Sequence, residues 1–371
     1  MKDKKSLKII DFYKGIAILG VFLVHSRHKF PQMGDFLRIF ELGQLGCQLF
    51  FILSGFTICF SWNRSRENSV ELPYVDFGKK RFRSIWPGYC IMVISMCGFN
   101  FLMLNIFKIV PGFKSNSSLT AMICNILLIH GVLPFCNNNV VFGGWYVGTT
   151  IVLYVLTPLL YKVIIEKRKG NIWYCWGYSL IVSTVLVVLY RKYQLPVLIQ
   201  NNGFVYFSFV VQLPCYILGM ILYRKYIYSE EEKLRKKINI VMECMLWVTI
   251  IFVFYSKFRY KALMFPILVG SAFYLRLRRK LLHNCVTKGK LLRKIGEKVA
   301  VSLGENSYYI YLIHVFFVYE IPNIIFEFLN GANLKYNSKG IYLILLFPLI
   351  VLTYFSSGLL KQACKRITEK W

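Results

Sequence analysis

Acidic side chains are scarce in this sequence: 17 Asp and Glu stand against 46 Lys and Arg, a formal charge of +29 over 371 residues. Cysteine pairing is missing as well. The eleven cysteines are scattered, mostly within apolar segments, and no two form a C-x-x-C pair, which speaks against both a disulfide framework and a zinc site. There is no internal repeat, no low-complexity tract and no polar stretch long enough for a soluble domain, so residues 1–371 read as a single domain. A basic excess of this size could suit nucleic acid. Here, however, Lys and Arg fall mainly between apolar runs, where the positive-inside rule would put them, so no nucleic-acid partner is expected.

What is abundant is apolar sequence. Hydrophobic residues make up 56% of the chain and aromatics 17%, with a mean hydropathy of +0.51. Repeated apolar runs of membrane-spanning length predict an all-α, polytopic helix bundle with about ten transmembrane helices. The expected spans are 9–26, 43–62, 84–107, 144–165, 172–190, 204–223, 239–256, 261–275, 305–329 and 340–360. The first has no small-residue cleavage site and is followed by further spans, so it reads as a retained helix and not a signal peptide. A further apolar piece, Leu119 to Leu133, is too short for a confident crossing and is expected to be re-entrant or packed within the bundle. With ten crossings, 33 of the 46 Lys and Arg fall on one side, which predicts cytoplasmic termini in a multi-pass cytoplasmic (inner) membrane protein. The charged segments around Glu230 to Lys237 and Arg276 to Lys298 read as topological anchors at the inner surface.

The run Ile9 to His28 is unusual because it carries Asp11 and Lys14 near one end and His25 near the other. Eleven residues of α-helix make about three turns and rise about 16 Å, so Lys14 and His25 share a face, and Asp11 is in reach of Lys14. Ionisable groups along one side of a membrane helix belong against a protein-lined or water-filled interior. His130, His314, Glu320 and Glu327 are further ionisable groups in apolar sequence. The two histidines read as structural, and each glutamate as either an interior or an outer-interface residue.

Five strings, in order, carry a resemblance. They are Asp11-Phe-Tyr-Lys14-Gly-Ile-Ala with His25 eleven residues after Lys14; Gly46-Cys-Gln-Leu-Phe-Phe-Ile-Leu-Ser54-Gly55-Phe56; the basic run Lys79-Lys80-Arg81-Phe82-Arg83 leading into Ile85, Pro87 and Tyr89; Trp145, Tyr154 and Pro158; and Leu303-Gly304-Glu305-Asn306-Ser307-Tyr308 continuing to His314. Together they resemble the acyltransferase-3 family of integral membrane acyltransferases. Three positions depart from the family pattern: Lys14 replaces its usual arginine, Ser84 its second basic residue, and Thr150 its glutamate.

The resemblance implies transfer of an acyl group, most commonly acetyl, from acetyl-CoA as co-substrate across the membrane to a hydroxyl of a cell-surface or lipid-linked polysaccharide. No permanently bound cofactor and no metal is implied. His25 would be the general base. Asp11, Lys14, Lys80, Arg81 and Arg83 would hold the donor at the cytoplasmic end, with Ser54, Trp145, Thr150, Tyr154 and His314 lining the site. Direct transfer and an acyl-histidine relay both stay open. So do two other readings of a charged interior: a transporter for an anionic metabolite or glycan, and a catalytically inactive relative. Against the transporter stands the absence of two related halves with broken spans.

Overall fold

The computed structural model describes residues 2–29, 40, 43–68, 71–113, 115–116, 118–166, 172–193, 203–227, 291–332 and 338–371. Among these residues there is helix and no strand. In chain order the helices are α1 (Lys2–Lys29), α2 (Leu45–Asn68), α3 (Pro73–Asn105), α4 (Leu119–Ile126), α5 (Gly144–Tyr161), α6 (Ile172–Tyr193), α7 (Phe204–Phe207), α8 (Phe209–Ile227), α9 (Leu291–Glu305), α10 (Ser307–Val315), α11 (Ile321–Gly331) and α12 (Ser338–Thr368). π-Helical turns extend α5 through Lys162–Glu166 and join α10 to α11 through Phe316–Glu320.

Seven stretches are long and apolar enough to cross a membrane: Lys8–Ser26, Leu45–Asn68, Pro73–Asn105, Gly144–Glu166, Phe204–Arg224, Ser307–Gly331 and Ile344–Thr368. They coincide with seven of the ten expected spans. The expected span at 172–190 is a shorter apolar helix, Tyr174–Tyr190. Those at 239–256 and 261–275 lie outside the described residues, as do the segment 230–237 and the first part of 276–298.

Lipid is as apolar as a leucine side chain, so helices in a membrane associate through close packing and hydrogen bonds rather than through escape from water. Small residues supply that packing here. A Cβ on Gly15 would lie 1.8 Å from the Ala300 backbone oxygen and one on Gly304 1.7 Å from that of Asp11, so α1 and α9 touch backbone to backbone. On another side of α1, a Cβ on Gly46 of α2 would meet the Ala17 backbone oxygen at 2.3 Å. Gly55 and Gly219 do the same between α2 and α8, against Tyr216 and Ile52. Around these contacts Phe51, Ile52, Leu53, Phe56 and Tyr216 are fully buried in the largest core cluster, which α1, α2, α5 and α8 share.

The apolar piece 119–133 is too short to cross. Its α-helix has eight residues, about 12 Å, against a hydrocarbon core of about 30 Å, and a 3-10 turn, Ile129–Val132, follows it. The Ser118 side chain caps α4 by accepting from the Ala121 amide at 3.4 Å. The piece is fastened to α3 by Trp86 Nε1 donating to the Ile126 carbonyl (2.9 Å) and by the Tyr89 hydroxyl donating to Asn125 Oδ1 (2.6 Å). His130 stacks on Tyr89 at 5.0 Å between ring centres, and its Nε2 lies 3.1 Å from the Gly144 carbonyl, which it must meet as a donor. Burial pushes the His130 pKa from 6.5 down to about 4, against the opposing pull of the backbone carbonyls, so it stays neutral near pH 7. His130 therefore fixes the start of α5, a structural role in keeping with its sequence context.

Candidate active site

Two ends of the bundle carry the predicted site residues. Because α1 is one unbroken helix, Lys14 and His25 lie about 16 Å apart along it. At the Lys14 end, Lys14 Nζ is 3.4 Å from Asp11 Oδ1, the contact their spacing predicts. Lys80 pairs with Asp76 at 2.6 Å and also reaches Ser65. Arg66 pairs with Glu166. The basic run on α3 is split by helix geometry: Arg83 faces outward and donates to the Trp371 carbonyl at 2.9 Å, beside the packed rings of Phe82, Trp86 and Trp371. Arg81 turns inward instead. Its guanidinium lies 6.0 Å from the Phe77 ring centre, and its Nε is buried with no hydrogen-bond partner among the described residues. Of the three basic candidates on α3, Arg81 is thus the one turned into the bundle with donor capacity to spare.

At the other end, the π-turn between α10 and α11 brings residues from distant sequence up to α1. The His25 ring lies 5.2 Å from that of His314 between centres, tilted by 43°. Phe142 packs edge-on to His25 at 5.3 Å, and Tyr319 stands 6.2 Å away. His314 is fully buried. Its Nδ1 lies 2.6 Å from the Tyr311 carbonyl, so Nδ1 is the donor and Nε2 carries the lone pair. That Nε2 has no hydrogen-bond partner among the described residues. Behind the pair, the Tyr311 hydroxyl donates to the Gly143 carbonyl at 2.8 Å, which ties α10 to the start of α5.

Glu320 closes the π-turn, a feature that often marks functional stretches of helix. It is fully buried, and its two carboxylate oxygens accept from the Gly112 and Phe113 amides at 2.7 and 2.8 Å. Asn323 adds a bond to the Val110 carbonyl at 2.8 Å. The segment after α3 is thereby held against the aromatic wall of Phe113, Phe142 and Tyr319. Of the two expected glutamates, Glu320 is interior and Glu327 is exposed.

The remaining predicted residues lie around Tyr146, whose ring packs on Tyr311 next to His314. Trp145 is buried, stacked on Phe207 at 4.5 Å and near Phe51. The Tyr146 hydroxyl approaches Ser54 and Thr150. Thr150 Oγ1 is buried without a hydrogen bond of good geometry. Tyr154 packs partly buried against the core. No group of three or more His, Cys, Asp or Glu among the described residues is placed to hold a metal ion. Sequence reading singled out His25 but did not pair it with His314, 289 positions later, and it gave Glu320 no task; no local pattern announces either contact.

With this geometry in view, the comparison with family models decides the assignment: the acyltransferase-3 model, described as an acyltransferase domain, matches residues 7–361. The chain belongs to the acyltransferase-3 family. Among curated proteins it is similar to acyltransferase MdmB of Streptomyces mycarofaciens, 24% identical over 189 residues, which covers 48% of this chain. The aligned part spans 45% of that relative's length. No solved structure matches. For this acyltransferase-3 family member, the family description and the relative's name both refer to acyltransferases, and the chain has a bundle of apolar helices.

Proposed function

We propose that this protein transfers an acetyl group from cytoplasmic acetyl-CoA to a hydroxyl of a cell-surface or lipid-linked polysaccharide, with His25 as the general base. The observation that carries this reading is the placement of His25 inside the bundle, against His314 and an aromatic wall, on the same rigid helix whose N-terminal half carries the Asp11–Lys14 pair. A pantetheine arm can span about 16 Å, so phosphates held by Lys14 and the inward Arg81 would leave the thioester beside His25. A neutral imidazole has one unprotonated nitrogen that can take the proton of a sugar hydroxyl.

In the reaction, His25 takes the hydroxyl proton as the oxygen attacks the thioester carbonyl. The new C–O bond forms, the C–S bond breaks, and the leaving coenzyme A thiolate receives the proton from the imidazolium. The thioester supplies the driving force, so no metal or oxidant enters the balance. The test is mass spectrometry of envelope polysaccharide from isogenic strains with and without the gene, complemented by wild type or His25→Ala. One acetyl group should appear with wild type alone, and His25→Ala should lower transfer by about 100-fold or more while the protein stays in the membrane. Full acetylation by His25→Ala, or uptake of a metabolite into vesicles with no covalent product, overturns the proposal.

A further inference from the structure

Thr150, by the Tyr146 hydroxyl, carries no charge. Something else must help His25 hold a proton during the reaction if it works as a base. Three observations single out His314. It is fully buried. Its tautomer is fixed, because Nδ1 faces the Tyr311 carbonyl at 2.6 Å and must donate. Its Nε2 lone pair is consequently directed into the interior and takes up no hydrogen bond among the described residues. A buried acceptor left unused is costly, because the desolvation of its lone pair is not offset by a new bond.

The ring geometry supplies the task. Two imidazoles joined by an N–H···N bond need about 3 Å between nitrogens and about 1 Å more from each nitrogen to its ring centre, or about 5 Å between centres. The observed separation of His25 and His314 is 5.2 Å. The rings are therefore close enough for such a bond, which a turn of the His25 ring toward His314 Nε2 would complete. We infer that His314 is the positioning residue for His25: its Nε2 accepts the N–H of His25, which turns the other His25 nitrogen toward the acceptor hydroxyl and steadies the imidazolium as it forms. The inference rests on the proposal that His25 is the base.

The balance is simple. His314 neither gains nor loses a proton; it accepts a hydrogen bond that strengthens when His25 becomes charged, and a hydrogen bond to the charged form favours that form. Among the described residues, the other titratable groups that face the pair have partners or positions of their own. Tyr311 is committed to the Gly143 carbonyl, Tyr146 and Cys47 lie behind Tyr311, and Glu320 is held by the two loop amides. Tyr319 stands beside His25 at 6.2 Å between ring centres.

Gln and Asn separate this role from mere packing. Gln at 314 can place an amide oxygen near the position of Nε2, whereas Asn can place one only near Nδ1. With purified full-length protein, acetyl-CoA and the polysaccharide acceptor, His314→Gln should keep kcat within about 10-fold of wild type and leave the acidic limb of its pH profile in place. His314→Asn should lower kcat by about 100-fold with KM for acetyl-CoA unchanged, and should move that limb to lower pH. Equal kcat in the two variants, high or low, overturns the inference. Should His314→Asn not elute as a folded protein, His314→Gln still decides: a kcat loss beyond about 10-fold or a displaced limb overturns the inference. An active His25→Ala variant instead sinks the base assignment itself, a separate result read in the same assay.

Discussion

The two ends of the bundle handle polar groups in opposite ways. At the Lys14 end, charges sit at the margin: Lys14 with Asp11, Lys80 with Asp76 and Arg66 with Glu166 are partly exposed ion pairs. Such pairs contribute little to stability, because water solvates each partner almost as well as the other does. At the histidine end, His130, His314 and Glu320 are fully buried, and each is committed to backbone: Gly144, Tyr311, and the amides of Gly112 and Phe113. Charge is plentiful and cheap at one end, sparse and costly at the other. The lesson is that the basic end can exchange its partners with little rearrangement, whereas the histidine end is preorganised and intolerant of change.

Substitutions that remove a buried acceptor should sharpen the contrast most. Glu320→Ala strands two amides and should cost about 4 kcal/mol in an SDS titration of the purified protein in mixed micelles, with Glu320→Gln losing roughly half of that. An effect below about 1 kcal/mol would break the comparison at its strongest point.

Acid is the next lever. The His130 pKa is depressed in the folded protein to about 4 from 6.5, so between those values the unfolded chain binds more protons than the folded one. Stability should thus be fully present above pH 6.5 and fall as pH drops toward 4, by on the order of 3 kcal/mol in total. Melting temperatures at pH 7 and pH 4.5 for wild type and His130→Asn provide the check. The variant should be less stable at pH 7 and show a flatter pH dependence; an unchanged slope would locate the acid sensitivity elsewhere.

Packing between α1 and α9 should come third. Gly304→Ala places a methyl 1.7 Å from the Asp11 oxygen, and the helices must part to admit it, at a cost of about 2 kcal/mol. Gly296, where an added methyl would meet nothing within 4 Å, is the control: Ala there should be neutral or slightly stabilising, since Ala is the better helix former by about 1 kcal/mol. Smallest of all, Asp11→Asn should change stability by less than about 1 kcal/mol, because its partner Lys14 keeps its access to water. A large loss there would show that the basic end, too, is preorganised.

Local pattern carried the sequence reading as far as local physics reaches. Asp11, Lys14 and His25 were legible because one helix fixes their spacing, and the shortness of 119–133 was legible from its length against the bilayer. The meeting of His25 with His314 was not legible, since it depends on how α10 lies against α1 and on the π-turn that follows His314. Glu320 was ambiguous for the same reason: its carboxylate binds a segment about two hundred residues earlier, and helical periodicity alone left its face undecided. The split between Arg81 and Arg83 was also hidden. Two residues apart on a helix, they point about 200° apart around the axis, yet which one faces inward depends on where α2 and α12 lie.

Clamped by backbone contact against α9 at Gly15 and against α2 at Ala17, α1 cannot slide along either neighbour. It works as a fixed gauge, with Lys14 and His25 as its two marks. Under the proposed function a donor would be judged by its length: the full coenzyme A thioester would reach both marks at once, while a truncated thioester that lacks the nucleotide would meet the histidine and leave the cations empty.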